Sequence, residues 1–251
     1  MKKLCVLFIM LLLGKLLFSQ DVTILIWKAD SLEHALNEIG AYETFKQVLK
    51  KDGRNYYALW KCSELCSRIG HRQTSNSQRD DFYQAGKIYA EAAIKVNPAG
   101  ADGYYVLSLA MGRMAQTASG DERIKAVKEI KANAEKAIQL NPGNGRAWHV
   151  LGKWNYEVSN LNIFERSAVK LFYGGLPKAS LQEAIRCYEK ARSLEPAFAL
   201  NNLELAKAYV RDGQPQKAIQ LLKELPFIPT KTEDDAAIRE EGKTLLAKLE
   251  E

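Results

Sequence analysis

Three times in this chain a run of helix-forming residues closes on a proline: Val96-Asn97-Pro98, Leu140-Asn141-Pro142 and Leu194-Glu195-Pro196. A proline cannot continue the helix it follows, and it biases the residue before it away from helical angles, so each marks a fixed stop. Six residues beyond each proline stands the first packing residue of the next segment: Tyr104, Trp148 and Asn202. A repeat of this kind dictates one supersecondary unit copied in series. Each copy exposes an apolar face that only its neighbour can cover.

Small and bulky residues follow in register. Trp148, Leu151 and Gly152 open one copy, and Ala184, Tyr188, Ala191 and Pro196 complete it; Leu205, Ala206, Tyr209 and Ala218 fill the corresponding places in the next. The pattern resembles the tetratricopeptide repeat, a pair of antiparallel helices of about 34 residues. That resemblance implies an all-α, right-handed α-solenoid of helical hairpins. Physically, the small residues let two helices approach closely while Trp148, Tyr188 and Tyr209 fill the space between hairpins.

The prolines are 44 and 54 residues apart, so the copies are stretched. The excess lies inside the hairpins, as longer helices or as protruding loops, and the polar stretches 71–80 and 115–121 favour loops. The insert from Asn160 to Ala179 carries Ile163, Phe164, Val169, Leu171 and Phe172, which predicts an extra helix ended by Gly174-Gly175-Leu176-Pro177. Helices are expected near 30–39, 41–52, 55–70, 79–96, 101–117, 121–140, 145–159, 162–172, 180–194, 198–211, 215–225 and 232–250. Capping boxes are read at Asp30 with Glu33, Ser180 with Glu183, and Thr232 with Asp235. The solenoid is expected over 21–229, with 230–251 as a C-terminal capping helix.

Lys2 and Lys3 precede an apolar run from Leu4 to Leu13, the pattern of an export signal over 1–20 with mature structure beginning near Asp21. The expected location is periplasmic or secreted, with a membrane anchor as the alternative. A spanning helix wants roughly 20 apolar residues, and Lys15 interrupts this run. Removal of 1–20 takes three lysines and no acids, lowering the formal charge from +6 to +3. Such a balance is no nucleic-acid signature.

Catalytic constellations are not evident. His34, His71 and His149 are the three histidines, none in a zinc-protease spacing, and there is no phosphate loop. Cys62 and Cys66, four apart, share a helix face and could present two thiolates to a metal with His71 nearby, although small buried residues packing a repeat explain them better. No metal or cofactor is expected. First helices of such hairpins line the concave face, which nominates Lys61, Arg68, Tyr105, His149, Lys153, Tyr156, Leu203 and Lys207 as groove residues for a protein or peptide partner.

A closer resemblance rests on Trp148-His149-Val150-Leu151-Gly152-Lys153-Trp154, then the apolar insert, then Phe172-Tyr173-Gly174-Gly175-Leu176-Pro177-Lys178-Ala179-Ser180. In this order the segments look like the regulator of microtubule dynamics family. The resemblance implies a helical-repeat body and, in animal members, association with microtubules, mitochondria or membrane contact sites. The expected function is therefore a non-catalytic interaction scaffold, exported in a bacterium. One alternative is a microtubule or membrane-contact adaptor. Another is a metal-dependent sensor or enzyme using 160–179 as a lid over His149, Trp154 and Tyr156.

Overall fold

The computed structural model describes residues 21–251, so the expected leader lies outside the described residues. Every regular element among them is helical. The chain begins with α1 (21–34), α2 (Glu38–Lys51), α3 (Tyr56–His71) and α4 (Asn76–Val96). It continues through α5 (Ala101–Thr117), α6 (Gly120–Leu140), α7 (Gly145–Ser159) and α8 (Ile163–Tyr173). α9 (Leu181–Leu194), α10 (Ala199–Arg211), α11 (Pro215–Glu224), a 3-10 turn at Leu225–Phe227 and α12 (Asp235–Glu250) complete it.

Helices pair as hairpins α1/α2, α3/α4, α5/α6, α7/α9 and α10/α11, with α8 inserted between the two helices of the fourth. The first helices of successive hairpins, α3, α5, α7 and α10, also touch one another and form an inner row. Three apolar clusters follow in series along the chain, each built from neighbouring hairpins. The expected all-α solenoid is thus the observed architecture.

The proline turns share one hydrogen-bond plan. Asn97 N–H donates to Ala93 and Gly100 N–H to Asn97; the same two bonds recur at Asn141 and Asn144, and at Glu195 and Phe198. A fourth copy, at Asp52 and Asn55, needs no proline. The indole N–H of Trp148 donates to Pro142 O at 2.9 Å, and the amide of Asn202 donates to Pro196 O at 3.1 Å. Asn202 is therefore the chemical equivalent of Trp148 in sealing its turn.

Close approach is visible at Gly152, where an added Cβ would stand 2.8 Å from the Tyr188 ring. Gly70 meets Tyr83 in the same way at 2.9 Å. No side chain larger than hydrogen fits between these helix pairs.

Several expectations are corrected. The first described helix covers 21–34 rather than 30–39, so Asp30 lies inside it and accepts from the Tyr57 hydroxyl at 2.8 Å. Leu36, at φ 57°, turns the chain, and Asn37 caps α2 through Gly40 N–H. The polar stretches 71–80 and 115–121 are mostly helix: α4 and α6 each run 21 residues, about 30 Å. Ser75 caps α4 with its hydroxyl, so polarity there serves a helix start.

At Ser180 only half of the expected box forms, because the Glu183 carboxylate turns to Arg186. Thr232 donates to the Asp235 carboxylate instead of accepting from its N–H, so no capping box starts α12. A full box occurs where none was expected, at Asn162 and Glu165. The insert does form the extra helix α8, ended by left-handed Gly174 at φ 71°.

Candidate functional site

The closing segment does more than cover α11. α12 packs on α10 and α11, while the irregular stretch 228–234 before it crosses the concave side and reaches the first hairpins. Arg239 holds the near end of this strap through Ile228 O at 2.6 Å and the Thr230 hydroxyl at 2.9 Å. The Asp235 carboxylate collects Lys231 N–H, Thr232 N–H and the Thr232 hydroxyl. At the far end Glu233 accepts from Glu38 N–H at 2.8 Å, an N-terminal donor of α2 that has no partner within its own helix. Arg72 then binds Glu38 at 2.7 Å, Asp234 at 3.1 Å and Glu233 at 3.3 Å.

The strap leaves two chambers. The first, about 510 Å³, is lined by Trp60, Lys61, Glu64 and Arg68 of α3, by Tyr105 and by Arg146. Its charges satisfy one another. Lys61 and Arg68 both pair with Glu33, Arg68 also reaches Glu38 at 3.1 Å, and Tyr105 donates to Glu64 at 2.9 Å. Burial pushes the Glu64 carboxyl up, but Arg68, Lys61 and Arg146 outweigh it and hold it at about 2. Arg146 binds Glu195 at 2.7 Å and lies over the Phe198 ring at 3.8 Å.

The second chamber, about 580 Å³, has apolar walls from Leu109, Val127, Ile130, Val150, Trp154 and Ile238. Lys153 pairs there with Glu204 at 2.7 Å and Glu157 at 2.9 Å. His149 is buried between Tyr188 and Phe198 with Nδ1 3.1 Å from Asn201 Oδ1. Burial pushes its pKa down to about 4, against the pull of Glu204. Arg113 and Arg123 line the same chamber and, among the described residues, neither has a carboxylate within 4.0 Å.

Of the residues nominated from sequence, Lys61, Arg68 and Tyr105 come together in the first chamber, and His149 and Lys153 in the second. Tyr156 packs under the Arg211 guanidinium at 5.0 Å. Lys207 bridges Glu204 and Glu241. Leu203 is fully buried in the core and has no surface to offer a partner. Sequence reasoning chose bases and missed the acids that neutralise them, Glu33, Glu38, Glu64 and Glu204. Glu64 was within reach as a helical neighbour of both Lys61 and Arg68. Arg72 carried no comparable signal, since the strap carboxylate it meets, that of Asp234, comes from 162 residues away.

Cys62 belongs to the first core cluster and Cys66 is likewise fully buried, and burial pushes the Cys66 thiol up to about 12. His71 instead faces Arg113, and no group of three or more potential metal ligands occurs among the described residues. The alternative of a lid over His149, Trp154 and Tyr156 does not match the place of the insert, since no residue of 160–179 lines either chamber. α8 packs against α6 and contributes no residue to the lining of either chamber. It holds Phe164 and Leu171 outward, 82% and 78% exposed.

Serial hairpins with an inner helical row, sealed turns and glycine-mediated helix contact define a tetratricopeptide-type α-solenoid. A family model described as regulator of microtubule dynamics protein 1-3 matches residues 25–250, and the chain belongs to that family. Regulator of microtubule dynamics protein 3 of Xenopus laevis is 29% identical over 220 residues, covering 86% of this chain and 47% of the relative. Regulator of microtubule dynamics protein 1 of Mus musculus is 25% identical over 218 residues, 85% of this chain and 72% of the relative. The chain spans about half the length of the protein 3 relatives it matches. Among solved structures, a thermophilic TPR protein of Thermus thermophilus superposes with a TM-score of 0.65 at 16% identity, covering 90% of this chain and 99% of that one. At that identity the likeness concerns the fold.

Proposed function

We propose that this chain is a non-catalytic adaptor that holds a partner peptide or helix along the concave channel. The observation that carries the reading is the channel itself, an inner row of helices flanking two chambers large enough for several side chains. Its titratable groups support binding over catalysis. A general acid or base works best with a pKa near the operating pH, whereas Glu64 sits at about 2 and His149 at about 4. The Cys66 and Cys187 thiols, each at about 12, are poor nucleophiles.

The adaptor acts in the periplasm or outside the cell after loss of residues 1–20, a reading supported by the basic start and apolar run. Photo-crosslinking side chains placed at Trp60 and Leu200, one on each chamber wall, test the channel in the native host. Partner adducts at these positions and none at Lys125 on the outer helix α6 are expected. Adducts only at Lys125 would move the interaction off the channel. A reporter fused after residue 25 reads export directly, and activity confined to the cytoplasm would remove the exported location.

Family membership favours a second reading, an adaptor acting on microtubules like its animal relatives. Co-sedimentation of residues 21–251 with polymerised tubulin separates the two. Saturable pelleting supports the cytoskeletal reading, and protein left in the supernatant at all tubulin concentrations removes it.

A further inference from the structure

A linker between α11 and α12 has no need to cross the channel, yet the strap does so and is held as a bound peptide would be. Two of its carboxylates, Glu233 and Asp234, lie on Arg72. Glu233 also takes the free N–H of Glu38, and its own N–H donates back to the Glu38 carboxylate at 3.3 Å. Carboxylate to arginine, carboxylate to helix N-terminus, and backbone to carboxylate together form a recognition set for a short acidic segment.

The set is larger than the strap uses. Arg113 feels Asp234 through space, but among the described residues it makes no ion pair; its Nη1 lies 3.2 Å from His71 Nδ1, and its Nε is buried without a partner. The Tyr83 hydroxyl, electrostatically coupled to Arg113, is likewise buried with no hydrogen bond. A guanidinium whose hydrogen-bond partner is a histidine, and which Asp234 attracts only from beyond ion-pair distance, has its desolvation cost only partly offset.

We propose that Glu233 and Asp234 occupy in cis the site of an acidic partner peptide, and that a partner bearing one carboxylate more than the strap, placed on Arg113, displaces it. This deepens the adaptor reading, on which it rests, by naming the partner's chemistry. The tether explains why the strap is present at all: an attached competitor acts at an effective concentration of about millimolar, so only a peptide with the additional contact outcompetes it.

The test uses the full chain and three labelled peptides: residues 229–236, the same sequence extended by one glutamate, and that extended peptide with every Glu and Asp made Gln and Asn. Fluorescence anisotropy of the Glu233→Gln/Asp234→Asn variant should show the extended acidic peptide bound at least about tenfold tighter than by the unmodified chain. Adding Arg113→Ala should remove most of the advantage of the extended peptide over the shorter one. Equal affinity for both proteins, or equal binding of the neutral peptide, overturns the proposal. The unmodified chain provides a reading free of folding effects. At saturating acidic peptide the Glu233 amide should exchange faster with solvent, and unchanged protection likewise overturns the proposal. Should the peptides fail while crosslinks at Trp60 and Leu200 persist, the strap inference falls and the adaptor stands. Absence of those crosslinks removes the adaptor itself.

Discussion

Replacing Gly152 by alanine asks whether α7 and α9 are joined by close approach. In an unconstrained helix interior the change stabilises by roughly 0.5–1 kcal/mol, because glycine loses more backbone freedom on folding than alanine does. Here the new Cβ would stand 2.8 Å from Tyr188 Cδ1 and 2.9 Å from Cε1. Carbon atoms pack at about 3.5–4.0 Å, so the ring or the helix must retreat by about half an ångström or more. Tyr188 is fully buried and rests on His149, with centroids 5.6 Å apart. It has no open side to move into.

Overpacking of such a site costs about 1–3 kcal/mol, which set against the propensity gain leaves a net loss centred on about 1 kcal/mol. Gly112 is the internal control, since it too lies inside a helix but, apart from its chain neighbours and its own helical backbone, nothing stands within 4 Å of its Cβ position. There alanine should gain about 0.5–1 kcal/mol. Urea unfolding followed by far-ultraviolet circular dichroism measures both, and in thermal melts each kcal/mol corresponds to about 2–4 °C for a chain of this size. A Gly152→Ala protein as stable as the Gly112→Ala protein would refute the contact.

Three further outcomes are expected. Because burial lowers the His149 pKa in the folded state to about 4, its contribution is complete above the unfolded value near 6.5 and is lost as pH falls from there towards 4. The loss should reach roughly 3 kcal/mol, and His149→Gln should flatten that limb of stability measured against pH. Glu64→Gln leaves Lys61, Arg68 and Tyr105 without the charge they share. It should cost about 2–4 kcal/mol in denaturant unfolding, and a loss below about 0.5 kcal/mol would show that Glu33 and Glu38 suffice. Phe164→Ser with Leu171→Ser removes two outward side chains of α8 and should change stability by no more than about 0.5 kcal/mol. A larger loss in a thermal melt would place α8 in the core.

The sequence by itself determined the repeat. Proline stops, the bulky residue six positions on and the alternation of small with large residues are local facts, and local facts are what single-chain pattern carries, whereas the seating of Tyr188 on Gly152 appears only in the folded chain. They located most of the helices, the extra helix in the insert and the glycine that ends it. Periodicity could not say that the polar stretches 71–80 and 115–121 prolong helices, because serine and asparagine serve loops and helix caps alike. It placed Leu203 in the groove because position in a repeat does not fix which way one side chain points.

Tertiary structure alone decided the site. Glu33, Glu38, Glu64 and Glu204 neutralise the nominated bases from other helices or other turns, and the strap joins Glu233 to Glu38 across 195 residues of sequence. Ion pairs have no period. Their energy depends on distances that exist only after the hairpins stack, so a chain that announces its helices still conceals what fills the channel between them.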